Sequence, residues 1–402
     1  MRSGNTRSST AVPNAMNPND GLRTGSNTDL GQSMTRGQAR GALAAVVVLA
    51  LVLPTSCTTN QDVARSERND SANGPPAPLR FETVRSILED SKGNYWFGSW
   101  NEGVCRFDGK GLTYFTVEDG LSDNQIRSIH EDRNGVVWFE GGVGISGFDG
   151  ARIITPTNRN YAAKDDWRLG TGALWFKEDG AVGATAAEAR PGVYRYDGTT
   201  FTYLAYPVTA DRTRVSAYAT TGIAKGKSGR IWFATYSAVF GYDGESFTVI
   251  DDNSLGLDES TGWLHVRCVF EDSKGKLWIG NNGIGVILYD GHAATQFTQE
   301  HGLGKLGPHG GRTTPQPGDV TDGSPTLHRV FSIGEDRAGN IWFGTVEHGA
   351  WRYDGKSLRN YTAEDGLTSK DIMGIYTDRH GDLWLAGNGV FKFNGASFDR
   401  IY

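Results

Sequence analysis

The chain has 402 residues, with 55 Gly, 11 Trp, 15 Tyr and 18 Phe and a formal net charge of −6. An aromatic, turn-rich and mildly acidic composition suits an all-β domain and supplies no basic footprint for nucleic acid. The eight histidines show no H-x-x-x-H or H-E-x-x-H spacing and G-x-S-x-G is absent, so no metal, cofactor or nucleophile-elbow chemistry is legible.

Residues 1–33 are polar, rich in Ser, Asn, Thr and Gly, and without apolar period, so no structure is expected there. From Met34 the pattern changes: Arg36 and Arg40, an apolar run from Gly41 to Leu53, and small residues before Cys57 read as the three parts of a secretory signal. Either Met1 or Met34 can be the start. Leu53-Pro54-Thr55-Ser56-Cys57 resembles a bacterial lipobox, which implies that residues 34–57 are a signal peptide whose Cys57 is lipidated, becomes the first mature residue and holds the protein at the cell envelope, the outer membrane before the inner. Ordinary secretion and an uncleaved anchor are the alternatives, and an apolar run of about 13 residues falls short of the roughly 20 that span a bilayer. Residues 58–78 then read as a flexible tether.

From residue 79 onward one unit recurs. Ser86 to Gly98, SILEDSKGNYWFG, returns at Ser128, Cys268, Ser332 and Gly374, and in worn form at Gly222 and Thr171. Trp96, Trp138, Trp175, Trp232, Trp278, Trp342 and Trp384 mark the copies. An alternating apolar run, an acidic turn ending in Gly and an outgoing Trp-aromatic pair make a β-hairpin, with the Asp capping turn amides. A second run, of the type GVCRFDG (Gly103 to Gly109), follows each copy, and its Asp-Gly or Asn-Gly signals another hairpin. Each repeat is thus expected to hold four antiparallel strands, a to d, at a period near 42 residues, the separation of Trp96 from Trp138 and of Trp342 from Trp384. The expected fold class is all-β: a single seven-bladed β-propeller over residues 79–402.

The E-D-x-x-G-x-ϕ-W-ϕ-G hairpin, the Y-D-G strand and the Asp-Gly-Leu links at Asp119 and Asp365 resemble the two-component regulator propeller repeats. Those form periplasmic sensor regions of bacterial hybrid histidine kinases. The resemblance implies a sensor or binding module, and a signalling partner in trans because the chain stops at Tyr402 without a kinase. The hairpins also resemble the Asp-box of sialidases, where the motif is structural.

Cys105 and Cys268 fall in blades too far apart round the ring to meet, and read as buried small residues. In a four-stranded meander the b–c and d–a links share one face. The long segments 155–170, 177–191, 205–221, 251–265 and 299–329 all fall there, and insertions longer than about 12 residues are usually functional or disordered. That face is the candidate binding surface, for a saccharide or an envelope protein. Its candidate residues are Trp100, Asn101, Glu102, Glu140, Trp167, Tyr236, Trp263, His265, Asn281, Asn282, Arg329, Glu347, His348 and Asn388. Aromatics beside amides and carboxylates suit sugar C–H faces and hydroxyls. The alternative is a lyase resembling streptogramin lyases, using His265, His328 and Glu347-His348 on the same face.

Overall fold

The computed structural model describes residues 78–156, 159–164, 166–177, 190–208, 217–307, 311–312, 314 and 319–402. Residues 1–77, with the signal segment, Cys57 and nearly all of the tether, lie outside the described residues. Seven four-stranded sheets follow one another along the chain as the blades of a propeller. In six of them the order is a-b-c-d, and the inner strands a are Val84–Glu89, Ile126–Glu131, Thr220–Lys225, Val266–Glu271, Val330–Glu335 and Ile372–Thr377. Strand a of blade 1 touches strand a of blades 2 and 7, and those of blades 4 to 7 touch in succession, which sets them round a common axis.

The acidic turn does more than cap. Asp90 Oδ1 accepts the amides of Lys92 and Asn94, while its Oδ2 accepts the Trp96 indole N–H at 2.8 Å. The same aspartate-to-indole bond recurs at Asp132–Trp138, Asp272–Trp278, Asp336–Trp342 and Asp378–Trp384. Each Trp is thereby pinned while its ring crosses to the next blade: Trp96 lies 5.3 Å from both Phe139 and Phe148 of blade 2. The neighbouring Glu serves the preceding blade. Glu131 accepts from Ser91, Glu335 from Ser273, and Glu89 from the Arg379 amide. So the E-D pair closes one turn with its Asp and ties the ring together with its Glu.

Blade 4, the worn copy, has Gly226 where the Asp belongs. Glu271 of blade 5 takes over the indole, accepting the Trp232 N–H at 2.7 Å, and keeps its own bond to the preceding blade through the Lys227 amide at 3.0 Å. Its carboxylate occupies the space that a side chain at Gly226 would need.

Blade 3 departs from the expected meander. Its sheet runs Leu174–Lys177, Gly192–Tyr196, Phe201–Ala205 and then Arg159–Lys164, and the last pairs in parallel with Phe201–Ala205. Part of the segment assigned to a d–a link is therefore an outer strand, and among the described residues no inner strand precedes Leu174. The cause is local: residues 166–173 have neither the alternating run nor the acidic-glycine turn that folds an a–b hairpin.

The ring closes through the C-terminal segment. Phe398–Arg400 pairs with Gly389–Phe393 as strand d of blade 7. Leu79 and Phe81, at the start of the propeller, pack beside Ile401, Tyr402 and Phe97. Cys105 and Cys268 are free thiols.

Candidate functional site

The b–c and d–a links meet on one face and hydrogen-bond one another round the ring. The Gly103 amide donates to Asn124, Gly142 to Gln125, Asn282 to His265, Gly283 to His328, Val346 to Arg329 and Gly349 to Lys370. From Gly103, Gly283 and Gly349 the b–c link holds the d–a link that leads to the next blade, and from Gly142, Asn282 and Val346 it holds the d–a link that enters its own blade, so these links form a connected lattice.

Every described inner strand breaks register with strand b at its second residue. The residues so bulged are Arg85, Arg127, Thr221, Arg267, Phe331 and Met373. A bulge re-aims the side chain it carries, and here all six line one axial cavity of about 650 Å³. That is the size of a small-ligand site. Because blade 3 offers no described inner strand, Glu140 and Lys177, both on strands b, reach the same cavity. Trp100 and Tyr236 add aromatic walls from the b–c links.

The cavity is cationic. Arg85 stacks on Trp100 at 4.3 Å, and Arg267 lies between Tyr236 at 5.2 Å and Phe331 at 4.9 Å. Stacking fixes a guanidinium by its face and leaves its N–H edge for a ligand. The Arg267 Nε is buried with no hydrogen-bond partner. Burial and repulsion from Arg127 and Arg267, against the attraction of Glu140, bring the Arg85 pKa down to about 10. Glu140, the one carboxylate among the described lining residues, is 3.2 Å from Lys177 Nζ and accepts the Lys177 amide. Burial works to raise the Glu140 pKa, but the charge and hydrogen bonds of Lys177, with His130, together outweigh it and hold the carboxyl below its ordinary value.

The candidate residues separate into groups. Trp100, Glu140 and Tyr236 line the cavity. His265 meets the Tyr236 ring edge-on at 5.0 Å, and burial, helped by Arg267, lowers its pKa to about 4. A second cluster lies on the rim: Arg329 donates to Asn282 at 3.0 Å and to Glu347 at 3.1 Å. Glu347 has φ +79, the positive-φ non-glycine among the described residues, a cost that folds retain mainly where function holds it. His348 faces His328, 6.0 Å between ring centres. Asn101 and Trp263 are exposed; Glu102 ties back to the Glu82 amide and Asn388 accepts from Thr83.

Two candidates are structural. Trp167 packs among Trp175, Tyr206, Phe233, Tyr242 and Phe247, filling the blade 3–4 interface rather than facing a ligand. Asn281 is the last residue of a strand b and wholly buried, holding the Ile284 amide as Ser99 and Thr345 hold their own links. Sequence reasoning missed Arg85, Arg127, Arg267 and Lys177. A signal was present for three of them: Val84-Arg85-Ser86, Ile126-Arg127-Ser128 and Val266-Arg267-Cys268 place Arg at one position of the repeat. No group of three or more His, Cys, Asp or Glu is placed to hold a metal ion among the described residues, and none of their helices is long and apolar enough to cross a membrane.

Fold and cavity together define a seven-bladed propeller with an axial well of ligand size. Residues 78–101, 120–139, 263–283 and 324–347 match the family model described as two component regulator propeller. Four segments of the chain, in blades 1, 2, 5 and 6, thus match two-component regulator propeller repeats. No curated protein matches it. Among solved structures it is similar to the extracellular domains of two hybrid two component systems from B. thetaiotaomicron. One is 20% identical with TM-score 0.52, covering 81% of this chain and 39% of that one. The other is 18% identical with TM-score 0.54, covering 79% and 39%. This chain thus spans well under half the length of those neighbours. It is also similar to catalytically inactive virginiamycin B lyase from Staphylococcus aureus with quinupristin: 15% identity, TM-score 0.50, 78% and 94% covered. Identities this low show the shared fold alone.

Proposed function

We propose that this protein is a non-catalytic binding propeller of the cell envelope, a sensor or interaction module that takes a saccharide or an envelope protein partner on the link face. The observation that carries the reading is the axial cavity, where bulged residues of six inner strands converge with Trp100 and Tyr236 from the links. Bulges at one repeat position, turned to one space, are an arrangement for presenting side chains rather than for closing a core. Occupation of the well would be passed to a signalling partner through the hydrogen-bonded links around it. Cys57 would hold the propeller at the membrane by lipid.

The full chain, screened against a glycan panel and solubilised envelope proteins with a lyase assay in parallel, tests the binding role. Saturable capture without turnover, weakened in Trp100→Ala and Tyr236→Ala, is expected; product formation overturns it. Labelling of cells with a palmitate analogue tests the anchor, and equal label in wild type and Cys57→Ala rejects it.

A further inference from the structure

We infer that the axial cavity is a receptor site for a compact anion carrying two or more negative charges as carboxylate, phosphate or sulfate. This deepens the proposed binding role and rests on it. The chain as a whole is acidic, at −6, yet four cations, Arg85, Arg127, Arg267 and Lys177, line this one space against the single carboxylate of Glu140. Glu140 is already engaged by Lys177 through both its side chain and its amide. Three guanidiniums are left facing the cavity without a carboxylate among the lining residues described.

Gathering like charges in a partly desolvated space is unfavourable without a counter-charge. The fold does not relieve it by spacing them apart: Arg127 and Arg267 both act on Arg85. It holds them in place instead. Trp100 supports Arg85, Tyr236 and Phe331 support Arg267, and Gln125 Oε1 accepts the Arg127 Nε–H at 3.0 Å. Planar guanidiniums held by their faces suit bidentate pairing with carboxylate, phosphate or sulfate oxygens. They come from blades 1, 2 and 5, so one charge is not enough to satisfy them and a multivalent anion is favoured over a chloride or a monocarboxylate. The His130 ring, whose pKa burial lowers, adds no positive charge at neutral pH.

The test is calorimetric titration of the full chain, at low ionic strength, with citrate, inorganic phosphate, sulfate, a tri-uronate saccharide and a neutral trisaccharide. Citrate or the tri-uronate is expected to saturate one site, with affinity falling as sodium chloride is added. Whichever of the two binds more tightly tells a free metabolite from a sugar acid. Arg127→Gln and Arg267→Gln should each weaken binding by at least tenfold, and Lys92→Gln, on a turn of the opposite face, should leave it unchanged. The melting curve without ligand separates a receptor role from a structural one. Arg127→Gln removes repulsion and should melt at or above the wild-type temperature, whereas a purely structural arginine would lower it. Failure of every multivalent anion to bind overturns the inference. So does equal binding of the neutral trisaccharide that survives Arg127→Gln and Arg267→Gln, although that result leaves the broader binding role standing.

Discussion

The exchange of partners at blade 4 predicts a rescue between two residues distant in sequence. Glu271→Ala removes the acceptor of the Trp232 indole at 2.7 Å and of the Lys227 amide at 3.0 Å. Trp232 is 4% exposed, so its N–H finds no water in compensation. Leaving a buried donor unpaired costs about 1–3 kcal/mol, which puts the variant roughly that far below wild type, the Lys227 amide belonging to an exposed residue. Gly226→Asp alone should also destabilise, because its side chain enters the space of the Glu271 carboxylate and sets two negative charges together. In the double variant the space is free, and the introduced aspartate can take the Trp232 indole as Asp90 takes that of Trp96 at the sound turn of blade 1. Equilibrium unfolding in urea of wild type, both singles and the double should show a coupling of about 1–3 kcal/mol in favour of the double. Additive losses would refute the account of Glu271 as a stand-in acceptor.

Three further outcomes follow from the same geometry. Trp138→Ala should cost about 3–5 kcal/mol as a large core truncation, because its ring meets Tyr196 at 4.9 Å and its N–H meets Asp132 at 3.0 Å; Trp263→Ala, exposed on the link face, should move the urea midpoint little. Ala at Trp100, Tyr236 and Glu347 together should weaken ligand capture while leaving most of the stability in place, as judged by paired titration and melting. His265 is predicted to make part of the acid sensitivity. Its pKa falls from an ordinary 6.5 to about 4 on folding, so the unfolded chain binds the extra proton between those values and stability is lost as pH falls through that window. His265→Gln should therefore lose less stability than wild type between pH 7 and pH 4.5; an identical loss rejects the assignment.

Seven tryptophans at repeat positions and seven Asp-Gly or Asn-Gly turns made the blades readable, because a turn is specified by neighbours in sequence. The link face was readable for the same reason: which links are long is a matter of counting residues between turns. What escaped depends on partners far apart in the chain. The Glu of each E-D pair looks like part of its own turn, and only the ring shows Glu131 reaching Ser91 or Glu271 reaching Trp232. The inner strand that blade 3 lacks among its described residues leaves no positive mark in the sequence, and that gap is what brings Glu140 and Lys177 to the axis. Trp167, in an irregular stretch, looked like a link residue, yet five aromatic rings enclose it. Arg85, Arg127 and Arg267 sat at a shared repeat position, but the bulge that turns them inward is a matter of register.

That ligand enters on the link face, at the axis, is the central claim, and hydrogen exchange of the full chain with and without its tightest ligand tests it most directly. Peptides over residues 99–104, 126–130 and 235–238 should gain protection, because they carry Trp100, Arg127 and Tyr236 at the cavity. Peptides over the a–b turns at 90–94 and 272–276 should exchange as before. Protection confined to those turns, with the axial segments unchanged, would place binding on the opposite face and contradict the account.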